Sequence, residues 1–115
     1  MEKIIKNILH GSPIVIANEV SYQDGQIVSK TLTQNKHHNI TLFAFDKNEE
    51  ISTHVSTGDA MIIAIDGVGE ITIAGESYII NSGESIIMPA NKPHAVFAKE
   101  KFKMLLIVVF DNWYD

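Results

Sequence analysis

The chain has 115 residues, 45% of them hydrophobic, a formal net charge of −5 and no cysteine. That length suits one domain spanning 1–115 with one real core, and the missing thiols exclude disulfides, zinc–thiolate sites and cysteine nucleophiles. All nine basic residues are lysines, scattered along the chain, so phosphate tracking and bidentate base reading lack their usual arginine, and no nucleic-acid partner is expected.

In chain order, residues 2–9 place Ile4, Ile5, Ile8 and Leu9 on one helical face, which predicts a short N-terminal amphipathic helix ending near Gly11 and Pro13. The segment is too polar for a signal-peptide core, and the longest apolar run, 104–110, is too short to cross a membrane as a helix. A cytoplasmic protein without a membrane partner is the resulting expectation. The sequon Asn39-Ile40-Thr41 is read as fortuitous in the absence of secretion.

From Ile14 onward the pattern is short apolar or alternating runs broken by turn residues. Strands are expected at 14–16, 26–33, 40–45, 51–55, 61–65, 71–74, 78–80, 85–88, 94–98 and 102–110. Their turns include Asp24-Gly25, 66–69 (Asp-Gly-Val-Gly), Gly75-Glu76 and 81–83 (Asn-Ser-Gly). Roughly nine or ten strands at a spacing of about 8–12 residues is the pattern of a sandwich or barrel. Turns this short force antiparallel neighbours, and so many strands in so short a chain must close one face upon itself. The lysines at 99, 101 and 103 alternate along a strand and read as a solvated edge. The tail 111–115 holds the only tryptophan, Trp113.

Chemistry rests on the five histidines. Alternation along 51–55 puts Ser52, His54 and Ser56 on one face and Ile51, Thr53 and Val55 on the other. His54 therefore faces either water or a polar pocket. His94 follows Pro93 at the start of a strand, where it is either a turn histidine bonded to backbone or an imidazole aimed into a barrel mouth. His37 and His38 open a strand and point to opposite faces, with solvent exposure the better reading. His10 suits the end of the expected helix. Glu49-Glu50 reads as a solvated turn, and Met61 and Met104 read as core.

The stretch from His54 to His94 resembles the cupin superfamily. In that family's first motif a glycine precedes His-x-His, then a glutamate and a closing glycine. His54 matches the first histidine and Gly67 the closing glycine, whereas Asn48, Ser56 and Ala60 replace the opening glycine, the second histidine and the glutamate. In the second motif Gly83, Pro89 and His94 match in register, whereas Asn91 and Ala98 replace a glycine and the final asparagine. The segment from Gly69 to Glu76 looks like the hairpin that joins the two motifs. The resemblance covers about 26–110 and implies an all-β, antiparallel double-stranded β-helix, a jelly-roll barrel. It also implies a divalent metal in the barrel, for which only His54 and His94 remain as ligands. Asp59 neighbours the lost glutamate position but should point away if Ala60 points inward.

Function expectations follow from that incomplete set. The first is a small-molecule-binding barrel whose pocket is formed by His54, Ser56, Ala60, Ile62, Met88, His94 and Val96, with an incomplete site for zinc, nickel, iron or manganese on His54 and His94. The second is a metal-dependent enzyme, an oxygenase or isomerase acting on a small carbonyl or phenolic substrate. The third is a structural or sensor module without catalysis. The resemblance also implies a homodimer, with strand 14–16 and the last strand as contact elements.

Overall fold

Frequent turn residues and alternating apolar runs give seven antiparallel strands in the computed structural model, which describes residues 3–111. They are β1 (Ile27–Gln34), β2 (His38–Phe45), β3 (Glu50–His54), β4 (Asp59–Ile73), β5 (Glu76–Asn81), β6 (Ser85–Met88) and β7 (His94–Val109). The architecture is the antiparallel barrel expected from the sequence. None of the described residues form a helix long and apolar enough to cross a membrane.

The strand count falls because two expected pairs of strands are each one long strand. β4 and β7 pair from Asp59↔Val109 to Ile73↔His94, with register shifts between Ala64 and Asp66 and between Gly67 and Gly69. The segment 66–69, expected as a reversing turn, is a bulged bend inside β4. Bulges turn a strand without ending it, so β4 and β7 each serve two leaves. In one leaf β7 pairs β2 from Phe102 to Val109 and β4 pairs β6. In the other β7 pairs β3 from His94 to Phe97 and β4 pairs β5.

Gly67 makes this corner possible. Its φ is +75°, and a Cβ built there would stand 1.6 Å from the Lys101 carbonyl oxygen on β7. Only glycine combines that conformation with that approach.

The apolar faces divide into two cores. Between the leaves lie Phe45, Ile62, Ile71, Val96, Phe102 and Met104, all essentially inaccessible. On the outer side of β1 and β2, Leu32, Leu42 and Ala44 pack with Val20 and the half-buried Ile8, Ile16 and Tyr22. β2 is therefore covered on both faces, its even-numbered residues by the N-terminal segment.

That segment is not the expected helix. Residues 3–9 run as bends, with Asn7 at φ +65°. The Lys6 amide donates to the Leu32 carbonyl at 2.7 Å, and Asn7 Nδ2 donates to the Thr31 carbonyl at 2.7 Å. An isolated helix this short is marginal in water, and the unpaired edge of β1 offers its carbonyls instead. Glu2, at the expected helix start, and Trp113 lie outside the described residues. The strand expected at 14–16 is also absent; the helical turn of the described chain is a 3-10 turn at Ile16–Glu19. The last strand is interior, paired on one side by β2 and β3 and on the other by β4, so it offers no free edge to a second chain.

Lys103 departs from the solvated edge expected for the lysine cluster. Its Nζ donates to the Ala17 carbonyl at 2.6 Å and lies 4.9 Å from the centre of the Tyr22 ring, with Lys101 Nζ at 5.5 Å. Tyr22 OH donates to Asp66. Together these tie the N-terminal segment to the barrel corner.

Candidate functional site

β3 and the start of β7 bring the two motif histidines together. Their register is Ile51↔Val96 and His54↔His94, with an irregularity between. Strict alternation would put Ile51 and His54 on opposite faces. The irregularity turns both toward the barrel interior, where both line one cavity. His94 is only 2% exposed, whereas His54 sits at the solvent-facing rim.

The rings meet at Nε2, 3.0 Å apart. Each Nδ1 lies on the carbonyl of the residue two before it: Ser52 at 3.0 Å for His54 and Lys92 at 3.2 Å for His94. A carbonyl only accepts, so in a neutral ring each Nδ1 carries the proton and each Nε2 a lone pair. Burial, and then the neighbouring His54, lower the His94 pKa from its ordinary 6.5, so the deep ring is neutral at pH 7. The two Nε2 atoms lie within hydrogen-bond distance of each other, and wherever both present lone pairs the pair favours a cation or a hydrogen-bond donor.

The turn that delivers His94 depends on Asn91, whose φ is +64°. Its amide donates to the Ser56 carbonyl at 2.7 Å, tying the turn to the loop after β3. Asn48, just before β3, has φ +73°. Both asparagines occupy motif positions where the resemblance expects glycine, and asparagine is among the residues that best tolerate the left-handed region. These two departures preserve the backbone. Ala98 lies wholly within the core, so that departure removes a polar group from an apolar site.

The cavity has a volume of about 480 Å³. Of the expected pocket residues, His54, Ser56, Ala60, Met88, His94 and Val96 line it. Ile62 does not; it is fully buried in the core. The alternation along β7 brings in Met104, Leu106 and Val108, and Phe110 just beyond it, with Phe43, Ile51 and Val55 completing the apolar wall. The run at 104–110 is apolar at every position, so the sequence alone does not say which of its residues face this wall. A groove of similar size, about 490 Å³, lies outside the barrel along 3–7 and 31–35 and holds no histidine.

Asn39 is a polar lining residue outside the two resembled motifs. It opens the inward face of β2, and its Oδ1 is shut from solvent without a hydrogen-bond partner. A buried acceptor left unpaired costs on the order of 1–3 kcal/mol.

A divalent metal, which the resemblance implies, fits this site in part. Two metal–nitrogen bonds of about 2.0–2.1 Å at an angle of about 90–110° span about 2.9–3.4 Å, which brackets the 3.0 Å separation of the Nε2 atoms. Anchoring Nδ1 on a carbonyl is also how metal-binding imidazoles are held. A third protein ligand is lacking. Ser56 Oγ accepts from the Gly58 amide, and Asp59 Oδ1 accepts from the Ala90 amide at 2.8 Å, away from this cavity. Ala60 offers no donor atom. Among the described residues no group of three or more histidine, aspartate or glutamate side chains converges.

His37 ends the connection between β1 and β2 and His38 opens β2; Asn35 Oδ1 accepts from both their backbone amides. The His10 ring contacts the Ile5 carbonyl at 2.6 Å. Neither group joins the cavity.

Comparison with known proteins places the same architecture elsewhere. The family model described as "Cupin domain" matches residues 41–110. A conserved protein of unknown function from Streptococcus pyogenes is similar in structure at a TM-score of 0.94 and 42% identity, over 96% of this chain and 97% of that one. A cupin superfamily protein from Desulfitobacterium hafniense aligns at a TM-score of 0.89 and 29% identity, over 93% and 98%. A cupin 2 conserved barrel domain protein from Leptotrichia buccalis is 44% identical at a TM-score of 0.79, covering 81% of this chain and 45% of that one. No curated protein sequence matches the chain.

Proposed function

The chain belongs to the cupin domain family, and on that premise we propose that its barrel cavity binds a small molecule oriented by His54 and His94. The observation that carries this reading is the convergence of two Nε2 atoms, 3.0 Å apart, in the wall of an otherwise apolar cavity of about 480 Å³. Small-molecule sites of this size are mostly apolar, with a few fixed polar groups that set orientation.

His54 and His94 are also the residues that would hold a divalent ion such as zinc, nickel, iron or manganese. With two protein ligands the ion would be held weakly, its remaining positions open to water or to the bound molecule. When bound it would supply Lewis acidity to a ligand oxygen. The chain's own contribution is to fix both imidazoles through Ser52 and Lys92 and to exclude water with the apolar wall. The polar side chains lining the cavity are His54, His94, Ser56, Thr57 and Asn39. That set of two imidazoles and three neutral polar groups suits orienting a bound molecule in an otherwise apolar cavity.

A homodimer is part of the same reading. Ile87 and Val109, each about half exposed, share one outer surface with Met61 and Ile107, and an apolar outer surface of this kind suits a second copy. Sedimentation showing a monomer at micromolar concentration would remove that part.

The central test uses untagged protein. Elemental analysis, followed by titration with zinc, nickel, iron and manganese, should show micromolar-range binding that His54→Ala and His94→Ala each weaken at least about tenfold, about 1.4 kcal/mol. If wild type and the double variant retain every one of the four ions equally poorly, the metal part of the proposal fails.

A further inference from the structure

Asn39 stands in a cross-strand row that crosses four strands. Asn39 pairs with Val108, Val108 with Ala60, and Ala60 with Met88. Directly paired residues present their side chains on the same face, and all four line the cavity. Asn39 is the polar member of these four cavity-lining residues; its partner on β1, Gln34, does not line the cavity. It lies on the leaf that contains β2, whereas His54 and the His94 end of β7 belong to the other leaf.

An unpaired polar atom is normally avoided in a buried wall, and valine or leucine would fill the position without that penalty. The cavity beside it is lined by no lysine, aspartate or glutamate, so away from the histidine pair the wall offers no counter-charge and suits an uncharged group. Phe43, Phe110, Met88 and Met104 supply aromatic and sulfur contacts suited to a flat ring.

We propose that Asn39 selects the ligand, its amide oxygen accepting a hydrogen bond from a hydroxyl or amino group on an uncharged, mostly apolar ring compound held between β2 and the histidine pair. This rests on the small-molecule reading above and adds to it the ligand's chemical class and a second polar anchor. The amide turns about its soft terminal torsion, which brings the oxygen to the cavity when a donor arrives. A site built to pair a donor discriminates strongly against an isostere that lacks one.

The experiment uses phenol, toluene and anisole as probes of similar size, with binding followed by protein-observed NMR on the full chain. Phenol carries the donor, whereas toluene and anisole do not. Wild type should prefer phenol over both by at least about tenfold, equivalent to about 1.4 kcal/mol. Asn39→Leu should abolish that preference while still binding toluene, and it should melt no lower than wild type, since it removes an unpaired acceptor. Asn39→Ala replaces it if the leucine variant does not fold. A phenol preference that survives the substitution overturns the role of Asn39. Equal binding of all three probes by wild type also overturns it but leaves the cavity reading standing. If no probe shifts any cavity resonance in the folded wild type, both readings fall.

Discussion

His54 and His94, forty residues apart in sequence, place their Nε2 atoms 3.0 Å from each other while each Nδ1 is held by a backbone carbonyl. The contact joins an exposed ring at the cavity rim to one that is 2% exposed. The two rings therefore differ in what a proton costs them.

The buried ring predicts a pH dependence of stability. The His94 pKa is lowered from 6.5, first by burial and then by His54. Between the folded and the unfolded values the unfolded chain binds more protons, so stability increases with pH there. The contribution is fully present above about 6.5 and is lost as pH falls through the lowered folded value. Thermal denaturation from pH 8 to pH 4.5 should show the midpoint falling below about pH 6.5, and His94→Gln should flatten that fall. An unchanged profile in the variant would show that His94 does not carry the effect.

Gly67 and Gly75 form a matched pair for testing the barrel corner. Both have positive φ, but a Cβ at Gly75 meets nothing within 4 Å, whereas at Gly67 it meets the Lys101 carbonyl at 1.6 Å. Gly75→Ala should cost about 1–2 kcal/mol from backbone strain alone. Gly67→Ala should cost more than about 4 kcal/mol, because the obstructing atom is backbone in the neighbouring strand. Chemical denaturation of the two variants side by side measures the difference, and equal costs would refute the corner account.

The two asparagines at motif glycine positions offer a conformational test. With φ near +64° at Asn91 and +73° at Asn48, glycine should be tolerated within about 1 kcal/mol at either site, and alanine should cost about 1–2 kcal/mol. Asn91→Ala should in addition weaken metal binding, since the turn it shapes leads directly to His94. If alanine and glycine prove equivalent by thermal melting, the left-handed conformation is not what keeps asparagine there.

Tyr22 tests how the N-terminal segment is fastened. Burial, and then the hydrogen bond to Asp66, raise its pKa well above the ordinary phenol value. Tyr22→Phe keeps the ring beneath Lys101 and Lys103 but loses the bond to Asp66, and should cost about 0.5–1.5 kcal/mol. Amide hydrogen exchange at Lys6, which donates to the Leu32 carbonyl, should accelerate in the variant. Unchanged exchange there would mean that the Tyr22–Asp66 bond does not help to hold the segment.

Much of the architecture was legible because turns and alternation are local properties. β6, expected at 85–88, spans Ser85–Met88. The errors arose where local signals compete with distant partners. The spacing of Ile4, Ile5, Ile8 and Leu9 suits a helix, yet the β1 edge supplies hydrogen bonds that eight isolated residues could not secure as a helix. Asp66-Gly67 resembles a reversing turn, but β7 runs alongside and converts it into a bulge. Asn39 carried only the sequon as a local mark; that its amide oxygen is buried without a partner depends on strands that meet in the closed barrel.

The sequence by itself pointed to an antiparallel sandwich or barrel, and its resemblance to the cupin motifs at His54, Gly67, Gly83, Pro89 and His94 implied that two histidines share one site. It also showed that Ser56 and Ala60 replace two expected ligands. Only the tertiary structure decided that Ile51 and His54 face the same way, that Asp59 is committed to the Ala90 amide, that Ile62 is core, and that Asn39 lines the cavity. The physical reason is that residue type and spacing fix backbone preference along the chain. Side-chain direction past an irregularity, and the pairing of each buried polar atom, are set by strands that meet only when the barrel closes.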